Sequence, residues 1–132
     1  MDCRLLDLMV FGDERGSLVA FEENHNVPFD IKRVYYIYDT KKEVTRGLHA
    51  HKGLEQLLVC VNGSCKIKLN DGEKSEIFEL NTPDKALYVG KNLWREMSNF
   101  SQGCVLLVLA SEYYNPDEYI RDYDEFIRSL KT

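Results

Sequence analysis

Residues Arg46–Ser64 read RGLHAHKGLEQLLVCVNGS. Two of the chain's three histidines, His49 and His51, stand one residue apart within it. Apolar density in LLVCV and the turn pair Asn62-Gly63 mark the second half as a strand ending in a tight turn. In a strand, residues two apart share a face, about 6.5–7 Å apart along the axis. His49 and His51 therefore point the same way and Ala50 the other. Where that face lines a barrel, both imidazoles look into its interior, and the pair looks like half of a metal site.

Outward from this stretch the same texture continues. SLVAFEE (Ser17–Glu23), IKRVYYIYD (Ile31–Asp39), SCKIKLND, SEIFELN, KALYVGKNLWREMSNF and CVLLVLASEYY read as further short strands. Asp71-Gly72 is a hairpin signal. The tail NPDEYIRDYDEFIRSLK differs. Asn115 is a candidate N-cap and Pro116 a first helical residue, and Tyr119, Ile120, Tyr123, Phe126, Ile127 and Leu130 recur at helical spacing. The expectation is an all-β chain of eight to ten strands, a jelly-roll barrel over about 15–114, closed by a helix over about 116–130. One domain of 132 residues with 44% apolar content is long enough to bury a core.

A formal net charge of -5 argues against nucleic acid or an anionic membrane as partner. No apolar run approaches the roughly 20 residues that span a bilayer. The start, MDCRLLDLMVFGDERG, lacks the pattern of a secretion signal. Cys3, Cys60, Cys65 and Cys104 form no CxxC pair, so reduced thiols in a cytoplasmic protein are expected. Cys60 and Cys65 read as core residues and His25 as an exposed turn residue. The Glu22-Glu23 pair and the acidic tail read as solvated, and Tyr113-Tyr114 as an anchor for the helix.

The histidine pair resembles the first motif of the cupin superfamily, a His-x-His followed by a Glu and a Gly. Here Gln56 stands where the Glu would be, and Gly63 supplies the Gly. A second cupin motif resembles YVGKNLWREM, with Arg95 where a further His is usual. A guanidinium has no lone pair for a metal and repels one. The site therefore reads as metal-free, with imidazoles suited to acid–base work near neutral pH.

Four blocks together, RGSLVAFEENHNVPFDIKRVYYIYDT, RGLHAHKGLEQLLVCVNGSCKI, LYVGKNLWREM and LASEYYNPDEYIRDYDEF, resemble the sugar 3,4-ketoisomerases over about Arg15 to Phe126. The resemblance implies a cupin jelly roll, a homodimer, and neither metal nor redox cofactor. It implies movement of a ketone from carbon 4 to carbon 3 of dTDP-4-keto-6-deoxy-glucose, on the way to 3-amino-3,6-dideoxy sugars. It also implies His49 and His51 as proton shuttles and Tyr35 close to the sugar. The N-terminal strand is expected to reach a partner subunit.

Arg33, which shares strand parity with Tyr35, and Arg46 are candidates for the diphosphate, since Arg matches phosphate oxygens in bidentate fashion. Trp94 is a candidate for stacking on base or sugar. Gln56, Arg95 and Arg15 complete the expected substrate-binding set. Arg before GSL and His after Trp resemble the galacto-product type, and Tyr and Arg the gluco type. Arg15 with Arg95 mixes the two, and the expectation leans to the galacto product. Three readings compete. A cupin 3,5-epimerase would use a His-Asp couple with a Tyr. A metal-dependent oxygenase is disfavoured by Gln56 and Arg95. A non-enzymatic sugar-binding cupin would use the same pocket.

Overall fold

A computed structural model describes residues 1–131. The described residues form twelve strands, one 3-10 turn and one short α-helix: β1 (Cys3–Asp7), β2 (Phe11–Asp13), β3 (Gly16–Leu18), β4 (Arg33–Ile37), β5 (Arg46–His51), β6 (Gln56–Asn62), β7 (Cys65–Asn70), β8 (Ser75–Leu80), β9 (Lys85–Val89), β10 (Trp94–Ser98), β11 (Val105–Ala110), β12 (Tyr119–Ile120) and α1 (Tyr123–Ser129). Two antiparallel five-stranded sheets run β1-β9-β6-β11-β4 and β12-β5-β10-β7-β8. The β2–β3 hairpin stands apart. The arrangement is all-β, as expected.

Side-chain alternation explains the layers. Leu58 and Cys60 of β6, Leu87 of β9 and Leu106 of β11 meet Ile67 and Leu69 of β7 and Met97 of β10 in one buried cluster between the sheets. The opposite faces of the first sheet, Leu57, Val59, Ala86, Tyr88 and Leu109, are covered by Leu8, Val27 and Phe29. With both faces covered, β6 can be the continuous apolar run LLVCV rather than an alternating one. In β7 the inward residues Cys65, Ile67 and Leu69 are buried and the intervening lysines are not. The Asp71-Gly72 signal does close the β7–β8 hairpin. Asp71 Oδ1 accepts from the amides of Glu73 and Lys74 at 2.9 and 2.7 Å, and Gly72 takes a φ of 99°.

Two expectations need correction. SLVAFEE is a strand only to Leu18; beyond it Val19 and Phe21 pack as irregular chain over the first sheet. The tail is not one helix from 116. Asn115 does cap, but it caps a single 3-10 turn at Pro116–Glu118. Tyr119 and Ile120 then extend and pair with His51 and Ala50 at the edge of β5. The helix begins only after Asp122, whose side chain accepts from the Asp124 amide. An unpaired strand edge offers the backbone hydrogen bonds that β-forming Tyr-Ile can use. Ile120 goes outward into a cluster with Ala50, Trp94 and Phe126, and this cluster seats the helix on the second sheet. Tyr113 and Tyr114 are exposed and do not anchor the helix; Tyr114 leans on Tyr119 instead.

Candidate active site

The site is built where β4 of one sheet faces β5 and β10 of the other. A cavity of about 380 Å³ opens there, lined by Arg33, Tyr35, Ile37, Arg46, His49 and Tyr119 among others. A larger apolar hollow, about 680 Å³, lies over the outer face of the first sheet and carries no histidine. Of these two, the first holds the imidazole, phenol and guanidinium groups.

Strand parity places Tyr35 and Arg33 together, and the Arg33 guanidinium stacks 5.2 Å from the Tyr35 ring. Arg46 is three residues from His49 and by simple alternation would face away. A bulge resolves this. Gly47 (φ 83°) and Leu48 (φ 55°) are both left-handed, and the β5–β10 register shifts at this point. One extra residue turns Arg46 back to the cavity side. A Cβ on Gly47 would lie 3.0 Å from the Arg95 carbonyl oxygen, so the bulge fits only glycine there.

His49 Nδ1 lies 2.8 Å from the Gly47 carbonyl oxygen. A carbonyl only accepts, so Nδ1 carries the proton and His49 Nε2 holds a lone pair. That lone pair faces His51 Nε2 at 3.0 Å, so His51 donates there. His51 Nδ1 is left as a buried lone pair without a hydrogen-bond partner among the described residues. Burial pushes both rings below the usual histidine range, His49 to about 4 and His51 to about 2, with the Arg95 charge adding to both. At neutral pH the pair is uncharged, with its lone pairs unprotonated.

Behind the histidines, Arg95 is 1% exposed and has no carboxylate partner among the described residues. Burial lowers its pKa to about 10, so it stays cationic at neutral pH. Its Nη1 donates to Gln56 Oε1 and its Nη2 to the Leu93 carbonyl at 3.1 Å. Gln56 Nε2 in turn donates to the Tyr35 hydroxyl oxygen at 3.0 Å. Because Arg95 fixes which end of the Gln56 amide is oxygen, the Tyr35 hydrogen is free to point elsewhere. Burial raises the Tyr35 pKa, keeping the phenol protonated. A glutamate at 56 would have cancelled Arg95 and accepted that hydrogen.

The expected residues thus fall into two groups. His49, His51, Tyr35, Arg33, Arg46, Gln56 and Arg95 come together. Trp94 does not. It alternates with Arg95 on β10 and lies on the outer face, 5% exposed, packed on Phe126 and Tyr123. Arg15 sits on the β2–β3 hairpin, outside the cavity of its own chain, paired with Asp13 at 2.6 Å. Tyr119 was not expected. Its ring packs 4.9 Å from His49 and 4.4 Å from His51, with Arg121 above it at 4.5 Å. The helical spacing of the tail concealed it; its only sequence signal is the β-forming Tyr-Ile pair. No carboxylate or third imidazole joins the histidines to complete a metal set among the described residues.

The histidines make stability depend on pH. In the unfolded chain they bind protons below about pH 6.5, while the folded rings refuse them until about 4 and 2. Stability held at pH 7 is therefore lost as pH falls through 6.5 towards 4. By pH 5 the loss is on the order of 2 kcal/mol for His51 and less for the more open His49. Urea midpoints from pH 7.5 to 4.5 should show it, and the slope should flatten in a His49→Asn, His51→Asn double variant. An unchanged slope in that variant would assign the acid loss to carboxylates.

The family described as "FdtA: WxcM-like, C-terminal" matches residues 1–131. The chain is 55% identical to a TDP-4-oxo-6-deoxy-alpha-D-glucose-3,4-oxoisomerase of Aneurinibacillus thermoaerophilus, over 96% of this chain and 91% of that one. Among solved structures, the TDP-quinovose 3,4-ketoisomerase WlaRB of Campylobacter jejuni is 58% identical, with TM-score 0.94 over 96% of this chain and 98% of that one. A histidine-to-asparagine variant of a 3,4-ketoisomerase from Thermoanaerobacterium thermosaccharolyticum, in complex with TDP-4-keto-6-deoxyglucose, is 48% identical, with TM-score 0.96 over 98% and 94%. A TDP-fucose 3,4-ketoisomerase of Campylobacter jejuni is 38% identical, with TM-score 0.93 over 100% and 97%. A full-length family match, whole-chain identity above one half and a cupin-like barrel holding a His-x-His pair agree: the chain belongs to the FdtA-like family, among the sugar 3,4-ketoisomerases.

Proposed function

We propose that the chain is an isomerase that converts TDP-4-keto-6-deoxyglucose into the corresponding 3-keto sugar without a metal or redox cofactor. The observation that carries this is the pair of neutral imidazoles 3.0 Å apart at a cavity whose other wall is a protonated phenol. The carbon 3 proton is acidic because it is alpha to the ketone, and an uncharged imidazole can take it. His49 lines the cavity and His51 lies behind it, so His49 is the base. His51 Nε2–H must yield the His49 lone pair as the substrate enters. The resulting enediolate carries negative charge on oxygen 4. Charged Arg95, acting through Gln56 and Tyr35, favours that charge in a water-poor site.

The proton on oxygen 3 then moves to oxygen 4, and carbon 4 takes a proton to leave the ketone at carbon 3. Tyr35 is on the other sheet from His49, with its hydrogen free. A phenol delivering there while imidazole removes from carbon 3 acts on the opposite face of the ring. Carbon 3 loses its proton from the face below the ring, and a proton added to carbon 4 from above gives the gluco epimer. Proton exchange with the imidazolium or solvent restores Tyr35. The identities point the same way, 58% to the quinovose enzyme against 38% to the fucose enzyme. This reverses the galacto product that Arg15 suggested. Arg33 and Arg46, two cations at the cavity, fit the diphosphate.

Incubation of chelator-treated protein with the 4-keto sugar in deuterated water tests the reaction. Loss of the carbon 3 proton with a new ketone at carbon 3 is expected. Exchange at carbons 3 and 5 with the ketone unmoved would instead indicate an epimerase, and no exchange a binding protein. Product made in ordinary water reports the epimer. A large coupling between the protons on carbons 4 and 5 is expected for gluco, and a small one would restore galacto.

The protein works as a homodimer in this reading. Met9, Val10, Phe11 and Leu18 on and beside the hairpin are exposed, as are Val34, Tyr36 and Tyr38 of β4 and its extension. Pairing two chains through these surfaces would cover them and carry Arg15 towards the partner's cavity. Sedimentation should give twice the chain mass for the wild type, and a monomer for Phe11→Asp, Leu18→Asp. A monomeric wild type would remove Arg15 from the site altogether. Four free cysteines accord with a cytoplasmic protein, and no helix among the described residues is long and apolar enough to cross a membrane.

A further inference from the structure

The mechanism leaves one cluster of reactive side chains unused. Cys60, Cys65 and Cys104 are all buried, and their sulfurs lie within 4.8 Å of one another. Cys60 and Cys104 are 3.5 Å apart. Cys60 is four residues along β6 from Gln56 with the same parity, about 13 Å from the site and at the other end of the barrel. Cys65 opens β7 and Cys104 immediately precedes β11. Three sulfurs from three parts of the chain thus meet where the barrel closes.

We propose that these three cysteines form a binding site for a soft, thiophilic monovalent metal ion, copper(I), which staples the closed end of the barrel. Thiolate sulfur selects soft ions such as copper(I), zinc or iron–sulfur clusters. Closed zinc sites take four ligands, and no histidine, aspartate or glutamate joins the group among the described residues. Three sulfurs about 2.3 Å from one ion in their plane lie about 4 Å apart, which this cluster reaches with sub-ångström shifts. Two of the thiols lose their protons to solvent as their sulfurs bind copper(I), and the third sulfur completes the coordination as a thiol. The site then carries a single negative charge, and binding releases two protons, so affinity rises with pH. Cys104, at 4% exposure the most open of the three, follows the loop of Ser101, Gln102 and Gly103 and gives the ion its entry. The ion ties the β6–β7 hairpin to the chain before β11 and acts on stability rather than on the reaction.

The test loads the reduced full chain with copper(I) without oxygen, then desalts it against a competing copper(I) chelator. Retention of one copper per chain, a sulfur-to-copper absorption in the near ultraviolet and a higher thermal midpoint are expected. Cys3→Ser should retain the copper and Cys104→Ala should lose it. X-ray absorption on the loaded wild type needs no folded variant: it should report sulfur neighbours only. Nitrogen neighbours would assign the copper to His49 and His51 and overturn the proposal. So would failure of the wild type to retain copper, equal retention by Cys104→Ala, or retention of zinc with no retention of copper.

Discussion

His49→Asn is expected to lower turnover by roughly 10³-fold, within the range for a general base, while binding of the TDP-sugar changes little. The asparagine amide can still donate to the Gly47 carbonyl, so the bulge that aims Arg46 survives. What disappears is the Nε2 lone pair, the only cavity-facing one that the tautomer argument leaves on the pair. His51→Asn leaves that base in place and removes only the ring that donates to it. Its loss should be smaller, about 10- to 100-fold. Turnover and the rate at which the carbon 3 proton is lost to solvent check this: His49→Asn should lower both by about the same factor. If both variants kept near-wild-type turnover, the histidines would not be the base, and Tyr35 would become the first group to replace.

Legibility in the sequence followed the period of the local structure. His49 and His51 on one face and Tyr35 beside Arg33 follow from two-residue alternation, which shows in the burial of β4 and β7. Cys60 and Cys65 were legible from their apolar surroundings, since β6 is buried on both faces. Arg46 could not be aimed, because the bulge at Gly47–Leu48 breaks the period between it and His49. Trp94 is misread by function rather than by period. Once Arg95 faces inward its neighbour must face outward, and only the position of α1 shows that the outer face is covered. Tyr119 was lost to a competing pattern, since its spacing to Tyr123 and Phe126 is helical while the open edge of β5 claims it as a strand. The uncompensated state of Arg95 was visible only in part. Gln56 in place of a carboxylate is in the sequence, but the absence of any other anion at that corner among the described residues is a property of the folded core.

That corner sets the second large effect. Arg95 is a buried cation whose side-chain partners are one amide and one carbonyl, an arrangement that costs stability relative to apolar packing. Arg95→Met alone removes the charge but strands Gln56 Oε1 and the Leu93 carbonyl, each at about 1–3 kcal/mol, so its net effect should be near zero. Arg95→Met with Gln56→Leu removes the stranded amide too and leaves Tyr35 to hydrogen-bond to water in the cavity. The double variant is expected to be more stable than the wild type by about 1–3 kcal/mol, read as a higher urea midpoint at unchanged slope. Its turnover should fall by about 10²–10³, the scale for losing electrostatic stabilisation of a developing oxyanion. A third readout moves with the charge. Arg95 depresses both histidines, so in the double variant their pKa values should rise, and the acid loss of stability should grow milder. Histidine titration by NMR would follow this directly. A double variant that lost stability and kept its turnover would mean that Arg95 is a packing element. The gain in stability with loss of rate is what a site held in readiness for negative charge requires: the cation is unfavourable until the enediolate forms beside it.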